Sequence, residues 1–153
     1  MNLSKNLELF EMTRSETAKR KGVSNEPTPE HIENMIVLAN KIFQPIRDHF
    51  GVPIYISSGY RSAALNKKIG GAKNSYHIYG MAFDLDQDGK NNGVSNKQIF
   101  DFIKDNLIFT ELIWEYGNDQ NPDWVHVAYD SKKLNKEILK AKRTTFGTKY
   151  IKY

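Results

Sequence analysis

The longest hydrophobic pattern in the chain begins after Thr28 and continues to Gly51. Apolar side chains recur there at intervals of three and four residues, which is the spacing of one helix face over about six turns. Thr28 followed by Pro29 is a typical helix start, because Thr caps free N–H groups and Pro suits the first helical position. Pro45 lies inside the segment and predicts a kink. We expect this helix to form much of the core.

Shorter patterns predict the remaining elements. Capping-box patterns at Thr13 and at Ser95 predict helices over 14–21 and 95–107. A further helix is predicted over 61–69, where two glycines close the segment. Runs rich in β-branched and aromatic residues predict strands at 53–58, 81–86, 108–116 and 124–129. Helices that lead into a small, mostly antiparallel sheet indicate an α+β domain.

Composition narrows the chemistry. The chain has 153 residues, enough for one ordinary domain, and no apolar run approaches the roughly 20 residues that cross a bilayer. The first ten residues lack the apolar stretch of a signal peptide, so we expect synthesis in the cytoplasm. There are no cysteines, which excludes disulfides, thiolate metal sites and cysteine nucleophiles. Any metal ion must therefore be held by His, Asp or Glu. We also expect the protein to be a monomer.

The positive charge is concentrated at the C-terminus. Residues 130–153 contain eight Lys or Arg and two acids, a formal charge of +6, whereas the chain as a whole carries +4. This contrast predicts a single domain over 1–130 and a basic tail over 131–153. Three interpretations of the tail stay open: a solvated, partly helical appendage, attraction to an anionic cell envelope, or nucleic-acid binding. The last is least favoured because no nucleic-acid motif accompanies the charge.

Three residues are of the types that form zinc sites. His77 and Asp84 are seven positions apart, and His126 begins a later strand. Two imidazoles and one carboxylate are typical of zinc sites that keep a fourth position for water. Asp84 stands in an apolar segment, where a carboxylate is costly unless it is paired or metal-bound. The other two histidines, His31 and His49, lie in the long helix and are expected to be structural.

Asp123 is a candidate general base. It lies three residues before His126, and in a regular strand the two side chains would point to opposite faces. It follows Pro122, however, so a loop position would let it turn towards an ion bound at His126. A simple turn residue is the alternative. Glu111 and Glu115 in the preceding predicted strand are either partners of the ligands or exposed.

Four blocks of the sequence, in order, resemble one enzyme family. They are Ser57-Ser58-Gly59-Tyr60-Arg61-Ser62 with Asn66, Ile69-Gly70-Gly71-Ala72, Ser75-x-His77-x-x-Gly80-x-Ala82-x-Asp84, and Trp124-Val125-His126. They are similar to the D-alanyl-D-alanine carboxypeptidase-type zinc peptidases. This is metallopeptidase family fifteen, which includes phage L-alanyl-D-glutamate endolysins. The resemblance covers about residues 28–130 and implies a hedgehog/DD-peptidase-like fold with helices on one side of the sheet.

The resemblance also implies roles for individual residues. It implies that one Zn²⁺ is bound by His77, Asp84 and His126, that Asp123 is the catalytic base, and that Arg61 stabilises the substrate oxyanion. A fixed guanidinium beside a metal suits that task, because the charge it meets appears only in the transition state. Three further residues are candidates for contact with the substrate: Ser75, Tyr60 and Trp124. The alternatives are that Ser75 orients a ligand and that the aromatic residues belong to the core.

These features together predict a peptidoglycan hydrolase that cuts a stem-peptide amide. A small domain without a signal peptide favours a phage or prophage endolysin of the L-Ala–D-Glu endopeptidase type, which would reach the wall through a holin-type pore. One alternative is a D-Ala-D-Ala carboxypeptidase or dipeptidase. An alternative of another class is a non-catalytic zinc-binding recognition module, which the combination of Asp123 and Arg61 with the predicted ligands argues against.

Overall fold

The computed structural model describes all 153 residues and contains two sheets. The strands are β1 (Asn2–Ser4), β2 (Leu7–Glu8), β3 (Ile56–Ser58), β4 (Ala82–Leu85), β5 (Glu111–Glu115), β6 (Trp124–Ala128), β7 (Glu137–Thr144) and β8 (Gly147–Lys152). β1 and β2 form a small hairpin, and the other six form one sheet in the order β3-β4-β6-β5-β7-β8. Every pairing is antiparallel except that of β5 with β7.

The chain also contains six α-helices. They are α1 (Leu9–Thr13), α2 (Glu16–Lys21), α3 (Pro29–Leu38), α4 (Gln44–Phe50), α5 (Ala63–Lys68) and α6 (Asn96–Asn106). A single 3₁₀ turn, Tyr76–Tyr79, precedes β4. None of the helices combines the length and apolar character that crossing a membrane requires.

The predicted long helix is continuous from Pro29 to Phe50, with a local change of winding in the middle. The Thr28 hydroxyl caps it by accepting from the His31 N–H at 3.2 Å. Ala39–Phe43 forms one π-helical turn between α3 and α4, immediately before Pro45. Proline lacks an N–H and crowds the preceding turn, so a wider turn at this point accommodates it. The effect of Pro45 on the helix, predicted as a kink, is seen as a π turn directly before it.

The core lies on one face of the large sheet. Helices α3, α4 and α6 contribute buried residues such as Leu38, Ile46 and Phe100. The strands contribute every second residue, for example Phe83 and Val127. Side chains alternate between faces along a strand, so the residues between these core positions leave the sheet on the other side. The predicted α+β class, a mostly antiparallel sheet with its main helices on one side, is confirmed.

Two local predictions are corrected. The cap of α2 is Ser15, whose hydroxyl accepts from the Ala18 N–H at 3.1 Å, and not Thr13. Thr13 instead ends α1, an element that the pattern did not predict. The strands are also shorter than the apolar runs that predicted them, because residues at both ends pack or turn without forming ladder hydrogen bonds.

The basic C-terminal segment is a β-hairpin. The weak apolar pattern predicted a partly helical appendage, and that secondary structure is wrong: β7 pairs with β5 and β8 pairs with β7. One face of the hairpin packs on the domain, with Ile138 against the core and Tyr153 against Trp114. The parallel pairing joins residues far apart in sequence, so local periodicity does not reveal it. The boundary proposed at residue 130 stays a prediction.

Candidate metal centre

Two of the predicted ligands lie on the sheet face opposite the core. In β4, Asp84 stands between two core residues, so its side chain leaves the sheet on the other face. In β6, His126 also stands between two core residues, and its Cα pairs directly with that of Asp84. Strand alternation and register together bring the carboxylate and the imidazole side by side.

His77 approaches from the 3₁₀ turn before β4. The Ser75 hydroxyl begins this turn by accepting from the His77 N–H at 3.2 Å. Gly80 ends it with φ of 72°, and a Cβ there would lie 2.6 Å from the His31 carbonyl oxygen. A side chain at this position would therefore be strained and would clash with the main helix. Gly80 lets the chain turn tightly between two of the predicted ligands.

The three predicted ligands form one cluster. His77, Asp84 and His126 each offer one ligand atom, and these atoms lie within 4.8 Å of one another. Nε2 of His77 is 3.3 Å from Oδ1 of Asp84, and Nδ1 of His126 is 3.0 Å from the same oxygen. Ligand atoms bonded tetrahedrally to zinc at roughly 2.0–2.1 Å are about 3.4 Å apart. One edge of the cluster, at 3.3 Å, already has this length, and the other, at 3.0 Å, is a few tenths of an ångström shorter.

Hydrogen bonds outside the cluster fix which ring nitrogens face inward. Nδ1 of His77 lies 2.7 Å from the Gly59 carbonyl oxygen, which can only accept, so this nitrogen carries the hydrogen and Nε2 is free for a metal. Nε2 of His126 donates to Glu111 at 2.9 Å, and its Nδ1 faces Asp84. Metal-binding histidines are usually held in this way by a carbonyl or carboxylate.

The charges of the cluster favour a cation. Burial alone would raise the pKa of Asp84, but the charge of His77 and the hydrogen bond from His126 hold that pKa well below its usual range. Burial alone would lower the pKa of His126, but hydrogen bonds to Asp84 and Glu111 raise it to about 10. Without a metal ion, these two carboxylates favour the imidazolium form of His126. A metal ion at Nδ1 would replace its proton.

An open cavity of about 600 Å³ lies directly over the cluster. Its lining includes residues of the 3₁₀ turn and of the loop after α5, and also Leu139 and Tyr150 of the C-terminal hairpin. Arg61 lines the cavity, and its Nε is buried without a hydrogen-bond partner in the protein. Burial lowers the pKa of Arg61, while the charge of Asp84 opposes this effect. Arg61 therefore places a positively charged side chain at the cavity.

The predicted substrate-contact residues separate into two groups. Ser75 and Trp124 line the cavity. Tyr60 does not: it is 4% exposed, belongs to the core and packs against His31 with ring centroids 5.0 Å apart. Aromatic residues near a site are often core residues, and sequence alone could not separate the two cases.

Asp123 is not brought into the cavity. Its side chain is half exposed, and its carboxylate lies 3.8 Å from the Arg143 guanidinium. Arg143 in turn stacks over the Tyr116 ring at 3.9 Å, which fixes its position at the outer end of the hairpin. Asp123 directly precedes Trp124, which does line the cavity, so strand alternation directs Asp123 elsewhere. Its predicted role as a base stays a prediction.

Two glutamates of β5 enter the cavity instead. Glu111, Ile113 and Glu115 alternate with core residues and all line the cavity, and Ile113 pairs with His126. Burial raises the pKa of Glu115 to about 7; the charge of His126 opposes this shift, and the charges of Asp84 and Glu111 add to it. The sequence does alternate between polar and apolar residues over 111–115. This alternation did not indicate which face of the strand would line a cavity.

A cluster of two imidazoles and one carboxylate, with space beside it for a further ligand, is typical of metal-dependent hydrolases. Residues 5–128 match the family model for peptidase M15, and the chain belongs to this family. It is therefore a metallopeptidase, a hydrolase from a zinc-dependent family, and the predicted membership of family fifteen is confirmed. Comparison with curated proteins returned no match. The matched region ends with β6 and leaves out the C-terminal hairpin.

Proposed function

We propose that this chain is a zinc-dependent peptidoglycan hydrolase that cleaves an amide bond in the stem peptide. The observation that carries the proposal is the cluster of His77, Asp84 and His126 at the base of an open cavity with Arg61 in its wall. The family supports a zinc peptidase. The resemblance to D-alanyl-D-alanine carboxypeptidases and L-alanyl-D-glutamate endolysins supports peptidoglycan as the substrate.

The donor set fits zinc. Two imidazole nitrogens and one carboxylate oxygen are ligands that zinc accepts, and one anionic ligand leaves the bound ion positive. Zinc bound there would acidify a water molecule and polarise the scissile carbonyl. His77 and His126 are held by Gly59 and Glu111 respectively, so little rearrangement of the imidazoles is needed.

Arg61 is the proposed oxyanion partner. Its backbone N–H donates to the His77 carbonyl oxygen at 3.1 Å, which ties its position to that of a proposed ligand. Its side chain lines the cavity and keeps an unpaired N–H. A guanidinium held in this way stabilises negative charge that develops on the carbonyl oxygen, and it needs no reorganisation during the reaction.

We further propose that the enzyme acts as a phage or prophage endolysin of the L-Ala–D-Glu endopeptidase type. The cavity is open, and two walls from different parts of the fold flank the cluster, which suits a peptide that continues on both sides of the cut. The alternative is a D-Ala-D-Ala carboxypeptidase or dipeptidase, which would remove only a terminal residue or split a free dipeptide.

Mass spectrometry of muropeptides tests the proposal. Purified sacculi would be incubated with zinc-loaded protein, with chelator-treated protein, and with Asp84→Ala protein to which zinc has been added. New N-terminal D-Glu or isoglutamine ends in the first sample alone are expected. Loss of terminal D-Ala alone would identify the carboxypeptidase. Zinc binding without any cleavage would contradict catalysis and support a recognition module.

The C-terminal hairpin is proposed to add attraction to the anionic cell envelope. Lys142 and Lys149 pair across β7 and β8 and are exposed. They are not part of the cavity lining. Charge at these exposed positions would raise the local concentration of the enzyme at an anionic polymer without entering the active site.

A further inference from the structure

We propose that the C-terminal hairpin is a substrate-specificity element: Leu139 of β7 and Tyr150 of β8 bind the uncharged residue next to the scissile bond and disfavour an acidic residue there. The inference rests on the proposed hydrolysis and names the part of the substrate that the hairpin contacts. The family match ends before β7, so both residues lie in the part of the chain outside the matched region.

Strand register places Leu139 in line with two of the proposed metal ligands. The Cα of His126 pairs with those of Asp84 and Ile113. Ile113 pairs in turn with Leu139, so the four residues form one row across the sheet, and all four line the cavity. Adjacent strands are roughly 4.8 Å apart, so Leu139 lies about 10 Å from His126 at the backbone. An extended peptide advances by roughly 3.3–3.6 Å per residue, which puts Leu139 within about three residues of a bond cut at the cluster.

Tyr150 lies in the next row on the same face of the sheet. Its Cα pairs with that of Ala141, and Ala141 pairs with Glu115, which also lines the cavity. Tyr150 lines the cavity and is 53% exposed, and its hydroxyl has no hydrogen-bond partner in the protein. Burial and the charge of Glu115 raise the pKa of Tyr150, so the hydroxyl keeps its hydrogen at neutral pH. It can therefore donate to a carbonyl oxygen of the substrate.

The charges around the cavity favour an uncharged residue beside the hairpin. Leu139 adjoins the aliphatic side chain of Ile113, and both line the cavity. Glu111 and Glu115 of β5, the strand next to the hairpin, line it too, and like charges brought together repel. Arg61 is the only Lys or Arg among the lining residues, and it follows β3, at the sheet edge opposite the hairpin. A carboxylate of the substrate is therefore favoured towards Arg61, and the uncharged residue towards the hairpin.

This charge distribution gives the same orientation for both candidate bonds. In an L-Ala–D-Glu bond, the uncharged L-Ala precedes the cut and the acidic D-Glu follows it. In a terminal D-Ala-D-Ala bond, the alanine before the cut is uncharged and the alanine after it carries the terminal carboxylate. In either case the hairpin holds the alanine on the amino side of the cut.

The test measures kcat and KM of the zinc-loaded protein on a purified muropeptide and on an analogue in which glutamate replaces the alanine before the cut. Leu139→Ala and Tyr150→Phe each remove one proposed contact. Phe146→Ala is the matched control, because Phe146 is 99% exposed in the turn of the same hairpin and does not line the cavity. We expect the two cavity variants to raise KM for the muropeptide about tenfold and to change kcat less than about twofold, because they remove binding that is equal in the ground and transition states.

A positive charge on the hairpin side should weaken the preference for alanine. We expect the wild-type protein to have a kcat/KM for the muropeptide at least about tenfold above that for the glutamate analogue, and Leu139→Lys to remove most of this difference. Zinc content and hydrogen exchange of the β7 amides verify that each variant binds the ion and keeps the hairpin paired with β5. If the exchange shows a detached hairpin in a Leu139 variant, Tyr150→Phe, which removes one unbonded oxygen, decides.

Three results would overturn the inference. The first is an unchanged KM in both Leu139→Ala and Tyr150→Phe with the hairpin paired. The second is an equal rise of KM in the Phe146→Ala control. The third is an unchanged preference for alanine in Leu139→Lys with zinc bound and β7 protected from exchange. Any of these with active wild-type protein removes the role of the hairpin alone, whereas a zinc-loaded wild-type protein that cleaves no muropeptide contradicts the proposed hydrolysis itself.

Discussion

The two faces of strands β4, β5 and β6 differ in what they contribute, although their residues alternate along the same short segments. One face carries Phe83, Leu112 and Val127 and is buried against the helices. The other carries Asp84, His126 and the β5 glutamates and faces an open cavity. Burial of apolar surface stabilises the first face, whereas the second brings several charged groups together at low exposure, which is unfavourable without a cation. Alternate residues of each strand thus serve different purposes: one set stabilises the fold, and the other lines the cavity.

The largest effect should come from removing the shared carboxylate of the polar face. Asp84→Ala deletes the oxygen that lies 3.3 Å from His77 and 3.0 Å from His126. We expect zinc binding and hydrolysis to fall below detection, because the cluster loses its only proposed anionic ligand. Metal analysis after dialysis and a muropeptide assay measure both. A fold-preserving Asp84→Ala protein that still holds one zinc ion would show that the ion lies elsewhere.

The adjacent residue on the apolar face should behave in the opposite way. Phe83 is fully buried and contacts Phe43 with ring centroids 6.4 Å apart. We expect Phe83→Ala to lower the free energy of unfolding by about 3–5 kcal/mol, measured by urea denaturation. Zinc stoichiometry per folded molecule should stay at one. Loss of the metal at temperatures where the protein remains folded would mean that the two faces are not independent.

The pH dependence of stability should come from the polar face. The pKa of Glu115 rises from 4.5 to about 7 on folding and that of His126 from 6.5 to about 10, so both bind protons more tightly in the folded state. Their stabilising effect is complete below the unfolded pKa and is lost as pH rises. The pKa of Asp84 is lowered, so its effect is lost as pH falls below its unfolded value of 3.8.

The contribution of these three groups to the free energy of unfolding of the metal-free protein should therefore be largest near pH 4 to 4.5. It should decrease as the pH rises from there towards 10. Thermal melts across this range in the presence of a chelator measure the trend. Glu115→Gln should flatten the part between pH 4.5 and about 7 and leave the part above it. A melting temperature that rises steadily from pH 4.5 to 10 would contradict the assigned environments.

A smaller effect on zinc binding is expected from replacing Glu111, which holds the proposed ligand His126 in place. Glu111 accepts from Nε2 of His126, and Glu111→Gln keeps the shape of the side chain while weakening that bond. We expect zinc affinity to fall roughly 10- to 100-fold, as is usual for such partners of metal ligands. Competition with a fluorescent chelator measures this change. Unaltered affinity would show that Glu111 does not orient His126.

The smallest effect should come from the outer side of the hairpin. Replacing Lys142 and Lys149 with Glu should weaken adsorption to purified cell walls and reduce its salt dependence, because both side chains are exposed and neither lines the cavity. Muropeptide hydrolysis in solution serves as the control and should be unchanged. Wall adsorption equal to that of the wild-type protein would remove the proposed electrostatic role.

The features that were predictable from sequence are those that depend on short stretches of chain. Thr28 and Pro29 correctly mark the start of the main helix, and Gly51 follows its end. The cluster of His77, Asp84 and His126 was also anticipated, because an aspartate inside an apolar strand is costly and the chain has few histidines.

The features that were not predictable depend on pairing between distant segments. Residues 111–115 alternate, but only the pairing of Ile113 with His126 places Glu115 in the cavity. The C-terminal hairpin forms through a parallel pairing with β5 that no local pattern encodes. The base role of Asp123 came from the family resemblance and from its distance to His126 along the chain, and it stays a prediction. The direction of its side chain depends on the strand that it precedes.

Zinc-edge anomalous diffraction from crystals of the zinc-loaded protein tests the polar face most directly. We expect one strong peak, at about 2.0–2.2 Å from Nε2 of His77, a carboxylate oxygen of Asp84 and Nδ1 of His126, with Glu111 and Glu115 outside bonding distance. A peak coordinated by Glu115 or by Asp123, or no peak at this cluster, would contradict a catalytic zinc centre built from these three ligands.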